Sequence, residues 1–252
     1  MKKVGLLVGV SLAIAVLSGC SSEDVPDFNE MIEDSPVSTF ISEEPSASEP
    51  TDTAPPAVSD METMKLLDSL TVAEKAHEDE YERPNLWGAA STYHVDAPLP
   101  SNCDVREAVL YRDGENVKVD DDCKILQGKW VDPYNNITYT YNLDGGTPID
   151  VSDLEIEHIV PLKNAFGSGA YKWMDETFKT FAHDVNNLIV VNGSDNASKG
   201  AKGPEEWVPS NEGYTCSYAT KWIETKTEYE LTVTENEKIA LREMLSTCEE
   251  GN

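Results

Sequence analysis

After one continuous apolar run near the start, apolar residues are scattered up to about residue 60 and then gather into short periodic runs. In METMKLLDSLTVAEKAH, residues 61–77, the positions Met61, Met64, Leu66, Leu67 and Leu70 share one helical face and predict a helix. From Trp87 onward aromatics and glycines rise, which marks packed chain. REAVLYR, residues 106–112, suits a short helix or a strand. Lys129–Val131 and Thr138–Tyr141 read as strands around a turn at Asp132-Pro133-Tyr134-Asn135-Asn136. Leu154–Val160 reads as a strand stopped by Pro161, and Leu188–Val191 as a second short strand. Between them, residues 173–183 predict a helix with Trp173, Phe178 and Phe181 inward. Ser194-Asp195-Asn196 can cap a further helix, kept short by Gly200 and Gly203. Residues 218–226 and 235–246 predict two closing helices, with strand-like Leu231-Thr232-Val233 before the second. The mixture is α+β.

The start of the chain follows a different pattern. Met1-Lys2-Lys3 is basic and Val4–Leu17 is almost wholly apolar, too short for the ~20 residues that cross a bilayer. Residues 1–19 therefore read as a signal peptide. Its ending, Leu17-Ser18-Gly19-Cys20, resembles the lipobox of bacterial lipoproteins. That resemblance implies a lipid on Cys20, an extracytoplasmic location and an anchor in a bacterial membrane. Residues 20–60, rich in Ser, Pro, Asp and Glu, bury too little apolar surface to fold and read as an acidic tether. Residues 61–252 are left as the folded domain, expected to be a monomer.

Setting Cys20 aside, Cys103, Cys123, Cys216 and Cys248 remain, an even number in an exported chain. Three pairings are open, and sequence order favours Cys103–Cys123 with Cys216–Cys248. The net charge of −28 argues against phosphate binding over a broad surface. Any such binding has to come from a local patch or a metal ion.

The chemistry concentrates between Leu154 and Pro209. Glu157 and His158 close the first strand, Asn187 precedes the second, and Asn196 and Lys199 lie in SDNASKG. Strand, strand, helix in that order is a ββα unit. A neutral imidazole can take a proton from water, and a carboxylate with an amide oxygen forms a hard donor pair suited to Mg²⁺. Neighbouring strand residues point to opposite faces, so Glu157 and His158 can serve one phosphate only where the strand bends.

EHIVPL, VNNLIVV and SDNASKG together resemble the His-Asn-Asn form of the HNH endonuclease motif, the ββα-metal fold. YERPNLWG, CDVREAVLYRD, the Gly128–Tyr134 run, NASKGAKGPEEWVP, CSYATKW and YELTV extend the resemblance to small secreted bacterial HNH proteins over about residues 81–248. The resemblance implies His158 as general base, Glu157 and Asn196 as ligands of Mg²⁺ or Mn²⁺, and Asn187 pinning the loop that orients the histidine. Lys199, and Arg106 beside Cys103, are candidates for substrate phosphate. Glu157 stands where the family usually has Asp, and Ala201 where an acid is common. His183 could be a third ligand, but a histidine at a helix end is more often a dipole contact. The implied activity is hydrolysis of nucleic acid, DNA before RNA. The alternatives are a surface lipoprotein that binds a partner or divalent metal, and a hydrolase of another phosphoester.

Overall fold

A computed structural model describes residues 60–83, 99–100 and 102–250. The expectations for the signal peptide, Cys20 and the tether lie outside these residues, as does most of YERPNLWG, with Trp87.

Helix α1 (Asp60–Ser69) is shorter than the periodicity predicts. Beyond Ser69 the backbone leaves the helix to meet Val233: Val233 N–H donates to Thr71 O and Ala73 N–H donates to Val233 O. The strand-like Leu231–Val233 accordingly forms a single parallel bridge, Val72 to Val233, and no strand.

REAVLYR resolves as helix α2 (Val105–Asp113), started by a capping box in which Asp104 accepts from Arg106 and Glu107 N–H. The polar strand β1 (Gly114–Val119), which the apolar pattern does not reveal, follows directly. It pairs antiparallel with β2 (Ile125–Val131), and β2 with β3 (Thr138–Tyr141), through the predicted turn. β4 (Thr147–Pro148) completes this sheet in the order β1-β2-β3-β4. The Trp130 indole reaches helix α2 and donates to Leu110 O, 2.8 Å away. A Cβ at Gly128 would run into that ring, so glycine is required there.

A second, two-stranded sheet pairs β5 (Leu154–His158) with β6 (Leu188–Asn192), placing Glu157 opposite Ile189 and His158 opposite Leu188. Helices α3 (Leu162–Gly167) and α4 (Asp175–Ala182) lie between the strands in sequence. α5 (Gly193–Lys199) follows β6 at once. Its cap is Asn192, whose side chain accepts from Ser194 N–H; the expected Ser194-Asp195-Asn196 cap lies inside the helix. Helices α6 (Thr215–Glu228) and α7 (Glu235–Leu245) close the fold.

Two apolar cores flank the small sheet. Leu188 and Val190 of β6 pack with Val109, Leu110, Trp130 and Leu154, whereas Ile189 and Val191 pack with Phe181, Trp222, Ile223 and Leu241. The strand's period-two alternation therefore serves both sides at once. Disulfides Cys103–Cys123 and Cys216–Cys248 bear out the pairing expected from sequence order. With sequence separations of 20 and 32, each stabilises by about 3–4 kcal/mol on the loop-entropy account.

Candidate active site

The site forms where β5 ends. Three hydrogen bonds with Asn187 fix the backbone beyond His158. Ile159 N–H donates to Asn187 O at 2.9 Å, Val160 N–H donates to Asn187 Oδ1 at 2.8 Å, and Asn187 Nδ2 donates back to Val160 O at 3.1 Å. Asn187 is fully buried, so its amide is spent on this bracket. The turn carrying Asn187 is held in its turn by Arg112, whose guanidinium donates to Val185 O and Leu188 O.

His158 Nε2 lies 2.9 Å from Ala182 O. A carbonyl only accepts, so Nε2 carries the proton and Nδ1 keeps its lone pair. Burial disfavours the imidazolium and brings the pKa down to about 4, outweighing the bond to Ala182. The ring is therefore neutral at ordinary pH.

Glu157 is buried and pairs with Lys199, which is also buried and donates a second bond to His158 O at 3.0 Å. Burial pushes the Glu157 carboxyl up, with Lys199 opposing, and pulls the Lys199 ammonium down, with Glu157 opposing. Lys199 thus stands inside the protein against a carboxylate and the strand backbone, and not at a solvent-facing position where phosphate would meet it. Gly200, at φ 56° and ψ −126°, turns the chain away immediately after it, a conformation favourable only to glycine.

Asn196 Nδ2 donates to Glu155 Oε2 at 2.6 Å, which leaves its Oδ1 without a hydrogen-bond partner among the described residues. Glu157, His158 and Asn196 line one cavity of about 280 Å³ together with Tyr81, Arg83 and Lys163. Glu157 and His158, adjacent residues at the end of β5, thus both reach this cavity.

Two cations in that wall, Arg83 and Lys163, were not singled out from sequence, although both lie in or beside the quoted segments YERPNLWG and EHIVPL. Only the fold places them beside His158. Arg106 serves elsewhere: its guanidinium donates to Val151 O at 2.8 Å, tying α2 to the turn before β5. His183 Nδ1 lies 2.7 Å from Lys179 O at the end of α4 and is not part of the cavity wall.

The donor set fits a small hard cation. It offers one carboxylate and one amide oxygen around open space, and Mg²⁺ commonly takes one or two protein oxygens and keeps several waters. Among the described residues there is no cluster of three His, Cys, Asp or Glu side chains, so a site of several protein ligands is not formed from those groups.

Strand β5, strand β6 and helix α5, with the histidine at the first strand's end, form a ββα unit, an arrangement consistent with a ββα-metal nuclease domain. Residues 101–244 match the family described as GmrSD restriction endonucleases, C-terminal domain, and the chain belongs to that family. It is also similar to an uncharacterized secreted protein of Arthroderma benhamiae, with 39% identity over 203 residues, 79% of this chain and 91% of that protein. No solved structure matches the chain.

Proposed function

We propose that the protein is an exported, metal-dependent endonuclease of the HNH type that hydrolyses phosphodiester bonds in nucleic acid. The observation that carries this reading is the convergence of Glu157, His158 and Asn196 on one cavity within a chain of an endonuclease family. His158 Nδ1 accepts a proton from the attacking water, while the Nε2–H bond to Ala182 O holds the ring's tautomer and angle. Asn187 keeps the backbone after the histidine in register. Glu157 and the Asn196 Oδ1 would hold Mg²⁺ or Mn²⁺, which would supply Lewis-acid stabilisation of charge on the phosphoryl and leaving oxygens. Arg83 and Lys163 take the role first considered for Lys199 and Arg106, drawing phosphate into an otherwise acidic surface. Family chemistry implies 5′-phosphate and 3′-hydroxyl products.

Export is supported by the Met1–Leu17 segment, the two disulfides and the secreted relative. Attachment through a lipid on Cys20, and with it a bacterial membrane, belongs to the same proposal.

The test is incubation of the purified protein with supercoiled plasmid and, separately, RNA, with Mg²⁺ or Mn²⁺. We expect nicking that EDTA stops and that His158→Ala lowers by about 10²–10⁴-fold. No cleavage of either substrate with any divalent metal sinks the reading; full activity in His158→Ala sinks the role of the histidine.

A further inference from the structure

A second cavity, of about 400 Å³, adjoins the catalytic one and is walled by Phe166, Tyr171, Trp173 and Phe178. The two share a partition. Tyr81 faces the catalytic cavity and Phe166 the aromatic one, and their rings meet edge to face at 5.4 Å. The segment Tyr81-Glu82-Arg83 alternates between them, sending Tyr81 and Arg83 to one side and Glu82 to the other. All four aromatic side chains are only half-buried, so each keeps surface available to the cavity. The nuclease mechanism uses none of them.

We propose that this cavity is a nucleobase subsite, which receives an unpaired base of the strand whose phosphate lies at His158. The inference rests on the nuclease reading and names its substrate class: single-stranded or locally unpaired nucleic acid. Three observations select a base as the occupant. The charged lining is two carboxylates, Glu82 and Asp175, and one ammonium, Lys179, which Glu176 engages at 3.1 Å; this balance disfavours phosphate, while the carboxylates accept hydrogen bonds from the amino and imino groups of a base edge. The aromatic lining, with rings inclined to one another at 55° to 79°, offers a ring face for the π-face that every base presents, and stacking on one ring contributes about 1–3 kcal/mol per base. The chain's net charge of −28 makes backbone attraction a poor source of affinity, whereas stacking is indifferent to it. A base inside a duplex has both faces covered and cannot enter. The subsite therefore discriminates against intact double helix at the strand being cut.

The experiment measures binding, so it does not depend on cleavage. Full-length protein carrying His158→Ala is titrated with a fluorescein-labelled single-stranded oligonucleotide, and then with copies bearing one abasic position at successive sites. At one position the abasic copy is expected to bind about 5- to 150-fold more weakly, the equivalent of about 1–3 kcal/mol. Adding Tyr171→Ala, or Tyr171→Leu to keep apolar volume, is expected to weaken the intact oligonucleotide and erase its advantage over that abasic copy. The pre-annealed duplex is expected to bind like the abasic copy. Equal binding of intact and abasic strands at every position overturns the proposal, as does an abasic penalty that survives both Tyr171 variants. Failure of the plasmid and RNA assay would instead count against the nuclease reading, so the two can fail separately.

Discussion

Among the described residues two lysine–glutamate pairs are buried, and they are not equivalent. Lys226 and Glu237 sit among the closing helices, 3.1 Å apart and fully enclosed. Glu237 also receives Lys75 at 3.2 Å, Asn164 Nδ2 at 2.7 Å and Thr234 N–H at 2.9 Å, while Lys226 donates to Ser168 Oγ and Thr232 O, each at 2.8 Å. Burial works against the Glu237 charge, but this set of partners outweighs it and holds the carboxyl below its usual range. Among the described residues Glu157 has Lys199 as its one side-chain partner, and there burial prevails and the carboxyl is pushed up. One carboxylate is saturated and sealed; the other is short of positive charge and borders open space. The difference separates a pair that stabilises the fold from one with room for a further cation.

The sharpest way to break this contrast is to remove one cation from each pair. Lys226→Met leaves Glu237 enclosed with too little compensation, and we expect a loss of about 3–5 kcal/mol, read as a drop in denaturant midpoint. Cleavage per folded molecule should be unchanged. Glu157→Gln should show the reverse pattern, with a cleavage loss of roughly 100-fold or more and little change in midpoint. If Glu157→Gln unfolds the protein while retaining activity, the two pairs are alike and the assignment of Glu157 fails. Lys199→Met should cost about 1–3 kcal/mol without metal, because an unpartnered carboxylate then faces the cavity. Added Mg²⁺ should raise its melting temperature more than that of the wild type; an equal rise would contradict the charge deficit at Glu157.

The smallest effect concerns acid. Glu237 has a folded pKa below its unfolded one, so the stability it contributes is present above the ordinary carboxylate range. That contribution is lost as pH falls through the folded value. Glu237→Gln should therefore flatten the acid side of a plot of melting temperature against pH, at the expense of stability near neutrality.

Much of this fold could be read from spacing. The strands around residues 132–136, the β5 and β6 runs and the closing helices follow local periodicity, which a chain carries on its face. The misses have tertiary causes. The first helix ends early because Thr71 and Ala73 find backbone partners at Val233, more than 150 residues away in sequence. β1 is polar because little of it is buried, so no alternation marks it. The start of α5 shifted because Asn192, which Asp132 holds through its backbone N–H at 2.7 Å, caps the helix first. At the site, the order of Glu157, His158, Asn187 and Asn196 was visible. The burial of Lys199 was not: lysine is rarely enclosed without a partner, and that partner lies on another element. Arg83 and Lys163 were hidden for the same reason, since only folding brings them to one wall.

The two-sided packing of β6 has a consequence for tolerances. A slip of one residue along that strand would exchange Leu188 and Val190 for Ile189 and Val191, and would thereby misfit both interiors together. The turn holding Asn187 and the end of β5 carrying His158 are mounted on this partition, so thermal motion can displace them only by disturbing two close-packed regions at once. The reactive corner is in that sense machined against two reference surfaces, and its alignment is inherited from the interior of the molecule.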